Sequence, residues 1–419
     1  MSRQCTDDAN DLLRDEDRRV RALTAHLPVT TPDWIIELTR AADQFLVARH
    51  DGFGNAEGAS IIAGYPWFTD WSRDTMLSLT GITLGRPELA AKIITTYATH
   101  LDRGMLPNRF LEDPSQTEFN SVDAALLFIY ALGELHARRP SLPLIERLMP
   151  SCLAIVENYL HGTRHGIRSD PDDGLISAGE PGVQLTWMDA KVGDWVVTPR
   201  CGKPVEINAL WYNALRCVAD FCRELGRSTE AARLHSLAES VRLGFRRYWN
   251  AGLGCLYDVL DGPESPLDDA IRPNQILAIG LPYSPLEAQQ AKSILEVCAQ
   301  ELFTPVGLRS LSPRDAAYRA NYGGGPWERD GAYHQGTVWT WPLGFFIRAH
   351  LKLYGDPIAA RSYLDGIRSQ MDQGIVGSVG EIFDAEPPHA PRGCYSQAWS
   401  VAEVLHAWDA CQGHTGSSR

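Results

Sequence analysis

Apolar residues recur along most of this chain at steps of three and four, and strict alternation is scarce, so the pattern predicts one amphipathic helix after another. Residues 144–160 show it: Leu144, Ile145, Leu148, Met149, Cys152, Ile155, Val156 and Tyr159 form one apolar stripe with polar residues between. Helix starts are legible too. Thr31-Pro32 places a cap before proline at the first helical position, and Ser284-Pro-Leu-Glu287 has the form of a capping box. The pattern gives twelve helices, at 31–49, 73–84, 87–102, 121–139, 144–161, 206–225, 228–249, 272–280, 285–302, 336–354, 357–372 and 396–411.

Twelve helices without a low-complexity linker predict six helical hairpins closed into a ring, an all-α (α/α)6 toroid or six-hairpin barrel. Short turns such as 85–86 and 355–356 alternate with long connections at 50–72, 103–120, 162–205, 250–271, 303–335 and 373–395. Connections of that length inside a compact domain tend to be functional. Six of them on one side of a ring build an active-site cleft. The expected organisation is a charged extension at 1–30, one helical domain at 31–412 and a disordered tail at 413–419.

Composition narrows the function classes. With 44% hydrophobic and 22% charged residues the chain has the make-up of a soluble globular protein. Thirty-nine basic against 52 acidic residues leave a net charge of −13, which opposes phosphate backbones and anionic bilayers. Neither nucleic acid nor a membrane is an expected partner. The first thirty residues carry no apolar signal core, and no run approaches the roughly 18 apolar residues of a membrane span. Nine cysteines lie scattered without C-x-x-C spacing, which predicts core thiols in a reducing cytoplasm. Twelve histidines dispersed without an HExxH pattern predict no metal site. Gly52-Phe-Gly54 and Gly323-Gly-Gly325 lack the context of phosphate loops and read as turns, so no cofactor is expected.

Of twelve tryptophans, eight (Trp67, Trp71, Trp187, Trp195, Trp211, Trp327, Trp339, Trp341) lie in or beside the long connections. A pyranose has an apolar C–H face and a rim of hydroxyls, so indole faces flanked by carboxylates and amides suit a sugar; the plainer alternative is that these rings pad a large toroid. The densest patch is Gly64-Tyr-Pro-Trp-Phe-Thr-Asp70-Trp71-Ser-Arg73-Asp74-Thr. There an Arg-Asp pair can bind adjacent hydroxyls, or Asp70 and Asp74 can merely cap a helix. A second patch places Asp189 between Trp187 and Lys191, where a neighbouring indole favours the neutral acid and the lysine opposes it. A third, Gly377-Ser-Val-Gly-Glu381-Ile-Phe-Asp384, carries a late carboxylate. Asp189 and Glu381 are far apart in sequence, so only ring closure unites them. Two carboxyls across a cleft are the minimal apparatus of glycoside hydrolysis.

The strings Gly64-Tyr-Pro-Trp-Phe-Thr-Asp-Trp-Ser-Arg-Asp-Thr, Thr186-Trp-Met-Asp-Ala-Lys, Val205-Glu-Ile-Asn-Ala-Leu-Trp-Tyr-Asn213 and Tyr333-His-Gln-Gly-Thr-Val-Trp-Thr-Trp-Pro342 resemble the amylo-α-1,6-glucosidase domain of glycogen debranching enzymes. The resemblance runs over about residues 30 to 412. It implies a glucoamylase-like (α/α)6 barrel and an inverting hydrolase of α-1,6-linked glucose stubs on a glucan or oligosaccharide. It also implies Asp189 as general acid and Glu381 as general base. Trp67, Asp70, Trp71, Arg73 and Asp74 then surround the glucose, and Trp187, Lys191, Glu206, Asn208, Trp211, His334, Gln335, Trp339 and Trp341 line the pocket. Glu206 is the competing carboxylate. Other readings are a hydrolase of another short α-glucoside, a non-catalytic sugar-binding protein, and a sugar isomerase using His334 as proton shuttle.

Overall fold

The computed structural model of the chain describes residues 9–50, 57–110 and 117–414. The molecule is mostly helical. Its α-helices are α1 (Ala9–Thr24), α2 (Asp33–Asp43), α3 (Ser72–Ile82), α4 (Pro87–Ala98), α5 (Ala124–Arg138), α6 (Leu142–His161), α7 (Val205–Glu224), α8 (Ser228–Phe245), α9 (Leu277–Gly280), α10 (Ala288–Glu301), α11 (Pro326–Ala332), α12 (Trp341–Tyr354), α13 (Pro357–Ser362), α14 (Asp365–Gln370) and α15 (Ala398–Asp409). None of the described helices is long and apolar enough to cross a membrane.

Burial sorts the helices into two kinds. All eleven residues of α3 are buried, as are Ala398–Trp408 of α15 and nearly all of α7. Helices buried all round belong inside. Helix α3 packs on α5, α5 on α7, α7 on α9, α9 on α12, α12 on α15, and α15 returns to α3. Around this cycle α2, α4, α6, α8, α10 and α13 each pack on one or two of its members. They bury one stripe only. On α6 that stripe is Ile145, Leu148, Met149, Cys152, Ile155, Val156 and Tyr159, seven of the eight residues expected, with Leu144 half-buried at its edge.

Two glycines set how closely the cycle closes. A Cβ on Gly81 of α3 would lie 2.0 Å from the carbonyl oxygen of Ala402 on α15. One on Gly344 of α12 would lie 2.1 Å from a carboxylate oxygen of Glu403, also on α15. Both helix contacts exist in this form because no side chain stands there.

The six long connections lead into the N-termini of α3, α5, α7, α9, α12 and α15, so they gather at one end of the cycle. They are built from short ladders. Phe303–Thr304, Gly307–Arg309, Val338–Trp339, Ile382–Phe383 and Pro391–Arg392 form a five-stranded antiparallel sheet in that order, with Trp339 paired to Ile382. Lys203–Pro204 pairs with Val259–Leu260, and Gly64–Tyr65 with Ser396–Gln397, which joins the first and last connections. Two-residue ladders leave no periodicity to read. At the opposite end, a cavity of about 410 Å³ lies between His26, Leu79, Thr83, Leu135, Trp408 and Asp409, at the C-termini of α3, α5 and α15.

Several expectations need correction. The segment expected as one helix over 31–49 ends at Asp43, because Leu46–His50 pairs with Glu57–Ile61 as a hairpin. The expected helix 336–354 starts at Trp341, its first turn being taken by the strand Val338–Trp339. Helix 357–372 breaks into α13 and α14. The capping box sits three residues later than read, with Glu287 as cap and Gln290 as its partner. Thr31 caps nothing, since Pro32 occupies the cap position of α2.

The charged extension contains α1, supported by the i,i+3 pairs Arg14–Asp11, Arg18–Asp15 and Arg19–Glu16 and tied to α2 through Arg19 and Asp43. Helix α11 follows the triple glycine, with Pro326 in its first turn. Cys152, Cys222, Cys255, Cys298, Cys394 and Cys411 are buried thiols, while Cys5 and the end of the expected tail, 415–419, lie outside the described residues.

Candidate active site

The N-terminal turn of α3 carries Arg73 and Asp74, both buried. Neither Asp70 nor Asp74 caps the helix: its cap position is Trp71, without a side-chain hydrogen bond, and Asp70 is fully buried in a two-pronged pair with Arg49 at 2.7 and 2.9 Å. Arg73 is 4% exposed and shared between two carboxylates. Its Nε donates to Asp123 Oδ2 at 2.7 Å and its Nη1 to Asp189 Oδ2 at 3.0 Å. Its Nη2 donates to the carbonyl of Leu185, four residues before Asp189. Asp123 heads α5, so two members of the cycle and the long connection after α6 meet on one guanidinium.

Glu381 is 2% exposed at the start of the strand Ile382–Phe383. Its Oε1 accepts from the Tyr333 hydroxyl and its Oε2 from the Cys394 backbone N–H at 2.7 Å. Asp189 and Glu381 belong to one electrostatic cluster. Burial pushes Glu381 up to about 7, its two donors pull it back, and the charge of Asp189 adds to the rise. Burial pushes Asp74 up to about 8 against the pull of Arg73, and the charges of Asp189 and Glu381 both add to it. Desolvation lifts Asp189 above the usual carboxylate range, with Arg73 opposing. The cation that acts on Asp189 is thus Arg73. Lys191, expected in that role, is exposed and donates to the Gly182 carbonyl at 2.9 Å.

Beside the carboxylates stands an aromatic wall. Trp187 meets His334, Trp339 and Trp341 edge-on at 5.0 to 5.3 Å, and His334 stacks on Trp339 at 5.2 Å. Trp399 closes the group against Trp339 and Trp341. Both ring nitrogens of His334, Nε1 of Trp341, Nε1 of Trp399 and Oε1 of Gln397 are buried without a hydrogen-bond partner in the protein. Burial, with Arg272, Arg73 and Arg200 nearby, holds His334 well below its ordinary value, so its ring is neutral at pH 7. Gln397 also donates to Asp74 at 3.3 Å.

Other candidates are absorbed by the fold. Glu206 is 1% exposed and clasped by Arg200, which also holds Asp258. Burial raises Glu206 while Arg200 opposes. The amide of Asn208 is used by Ile176, Pro204 and Tyr248. Trp211 stacks on Tyr159 and donates to the Gly174 carbonyl. Gln335 spans Arg272 and the Val197 carbonyl. Trp71 lies under Arg109, and Trp67 is 60% exposed.

Sequence reasoning did not single out Asp123, Tyr333, Asn274 or Trp399. Asn274 accepts from Trp187 Nε1 at 2.7 Å and donates to Asp258 at 2.7 Å, fixing the indole two residues before Asp189. Tyr333 opens the string that runs from Tyr333 to Pro342. The others carry no signal without contacts.

The chain matches the amylo-alpha-1,6-glucosidase family over residues 40–406. It is 26% identical to the glycogen debranching enzyme of Saccharomyces cerevisiae, in an alignment covering 84% of this chain and 30% of that protein. The chain therefore spans less than a third of that relative's length. Among solved structures, an uncharacterized conserved protein from Thermus thermophilus superposes with a TM-score of 0.65 at 15% identity, covering 88% of this chain and 99% of that one. A GH63 mannosylglycerate hydrolase from the same organism, bound to Tris and D-glycerate, superposes at 0.65 and 14% identity over 90% and 100% of the two chains. At such identities the likeness is one of fold.

Proposed function

The chain belongs to the amylo-alpha-1,6-glucosidase family, and from that premise we propose that it hydrolyses α-1,6-linked glucose stubs of a branched glucan or oligosaccharide with inversion. The closed cycle of helix contacts supports reading the fold as an (α/α)6 toroid whose long connections wall the cleft. Buried thiols and the negative net charge support a cytoplasmic protein acting on a neutral substrate.

The observation that carries the reading is the cluster itself. Two buried carboxyls, Asp74 and Glu381, and the half-exposed Asp189 come from distant segments into one electrostatic cluster, beside buried polar atoms that have no partner in the protein. Unpaired buried donors and acceptors are costly unless a ligand meets them, and a pyranose offers hydroxyls in the required number. In this reading Asp189, whose side chain is 38% exposed, gives its proton to the glycosidic oxygen as the C1–O bond breaks. Glu381, ionised and held by two donors, takes a proton from the water whose oxygen attacks C1 from the other face. The products are β-glucose and the freed 6-hydroxyl of the acceptor chain. A proton then returns from Glu381 to Asp189 through solvent.

Glucose release from an α-1,6-branched limit dextrin tests this. Wild-type protein is expected to release glucose, and Asp189→Asn and Glu381→Gln each to lose about 10² to 10⁴ in rate while still binding sugar. No release from the branched substrate, or equal release from a linear α-1,4 chain, contradicts it.

A further inference from the structure

Trp195 and Trp327 form a stacked pair, with ring centroids 4.5 Å apart and planes 26° from parallel. Trp327 is 58% exposed, on the first turn of α11. The ring of Trp195 lies along the same face, so near Gly331 that a Cβ there would come within 3.0 Å of it. Exposed apolar residues scattered singly need no explanation, but here one exposed indole is propped on a second, making a contiguous apolar patch.

Both carriers of the pair lead to the carboxylates. Trp195 sits in a hairpin, Lys191–Val192 against Trp195–Val196, that begins two residues after Asp189. Helix α11 packs on that hairpin, and Gln335 binds the Val197 carbonyl just after it. Tyr333, the residue ending α11, donates to Glu381. Tyr322, on the other side of Trp327 in sequence, contacts the Tyr333 ring at 5.6 Å and takes its backbone hold from Asp384, three residues beyond Glu381. The stacked pair is thus mounted on the surface between the segments that support the two carboxylates.

We infer that Trp327, propped by Trp195, is a stacking platform for a glucosyl unit on the leaving-group side of the scissile bond, the chain to which the stub is attached. This rests on the proposed hydrolase reading. A flat, uncharged, half-open indole recognises the C–H face of a neutral pyranose, and its place outside the buried cluster leaves the cleaved glucose to the inner wall.

The test compares two substrates: a branched maltooligosaccharide carrying a single α-1,6-glucosyl stub, and α-glucosyl fluoride, which has no leaving-group sugar. For Trp327→Ala the ratio of kcat/KM on the first to that on the second is expected to fall about tenfold, mainly through KM, the loss expected of one stacking contact. Trp327→Phe should restore most of it. An unchanged ratio overturns the platform.

Binding gives a second measurement that needs no turnover. In an Asp189→Asn background, titration with the branched oligosaccharide should show a Kd about tenfold weaker when Trp327→Ala is added. Equal affinity overturns the inference. If wild-type protein hydrolyses neither substrate, the hydrolase reading fails, and the titration still decides whether the rim holds a sugar.

Discussion

Arg73 donates through Nη1 to Oδ2 of Asp189 at 3.0 Å, although Arg73 sits on the first turn of α3 and Asp189 in the connection after α6. Because the same guanidinium holds Asp123 through Nε, it acts as a fixed fork that aims the Asp189 carboxyl.

Arg73→Lys is therefore expected to lower kcat about 100-fold, since an ammonium cannot reproduce the two directed contacts. Arg73→Ala should in addition destabilise the fold by about 3 to 5 kcal/mol, leaving the buried carboxylate of Asp123 uncompensated. Urea denaturation of both variants checks the second figure. A stability loss below about 1 kcal/mol for Arg73→Ala would show that the buried fork is not formed.

Glu381 has a raised proton affinity in the fold, with a value of about 7. Its contribution to stability is present in full below the ordinary carboxylate range and is lost as pH rises through about 7. Glu381→Gln should therefore match wild type in unfolding free energy near pH 4.5 and exceed it near pH 8, by about 2 to 3 kcal/mol. An advantage that does not grow with pH contradicts the burial assigned to this carboxyl.

Tyr333→Phe removes a donor that favours ionised Glu381. The acidic limb of the kcat/KM profile should move to higher pH, and the plateau should fall only modestly. A purely structural role for the hydroxyl would lower activity at every pH alike.

Glu206→Gln should separate stability from chemistry. Glu206 is clasped by Arg200 beside Asp258, so its loss is expected to cost about 3 kcal/mol of stability. Turnover in the folded variant should fall less than tenfold, against the far larger loss in Asp189→Asn. Equal losses in the two variants would return Glu206 to the catalytic role.

Gly81→Ala should destabilise by at least about 2 kcal/mol, because the added methyl meets the backbone of α15, which has no side chain to move aside. Calorimetric melting reads this directly. An unchanged midpoint means that α3 and α15 are not in such close contact.

Much of the scaffold is legible from periodicity. The stripe from Ile145 to Tyr159 is the buried face of α6, and each of the twelve expected helices has a counterpart. Two kinds of feature escape such reading. Helix α1 is dense in charge pairs and its Leu12 and Leu13 stay exposed, while the two-residue strands beside Trp339 and Glu381 are too short to show alternation.

In the site, motif strings lead to Arg73, Asp74, Asp189 and Glu381, which the fold does bring into one cluster. The same strings name Asn208 and Trp211, whose polar groups the fold itself consumes. Asp123 and Asn274 make their contacts with Arg73 and Trp187 only in the folded chain, so no spacing announces them.

The anomer of the first glucose released is the most direct test of two carboxyls working across a water. Proton NMR within the first minutes of hydrolysis of an α-1,6-branched oligosaccharide should show β-glucose appearing first and α-glucose growing only as the sugar mutarotates. Initial release of α-glucose would mean that a covalent intermediate forms, and that Glu381 does not act on water as the base.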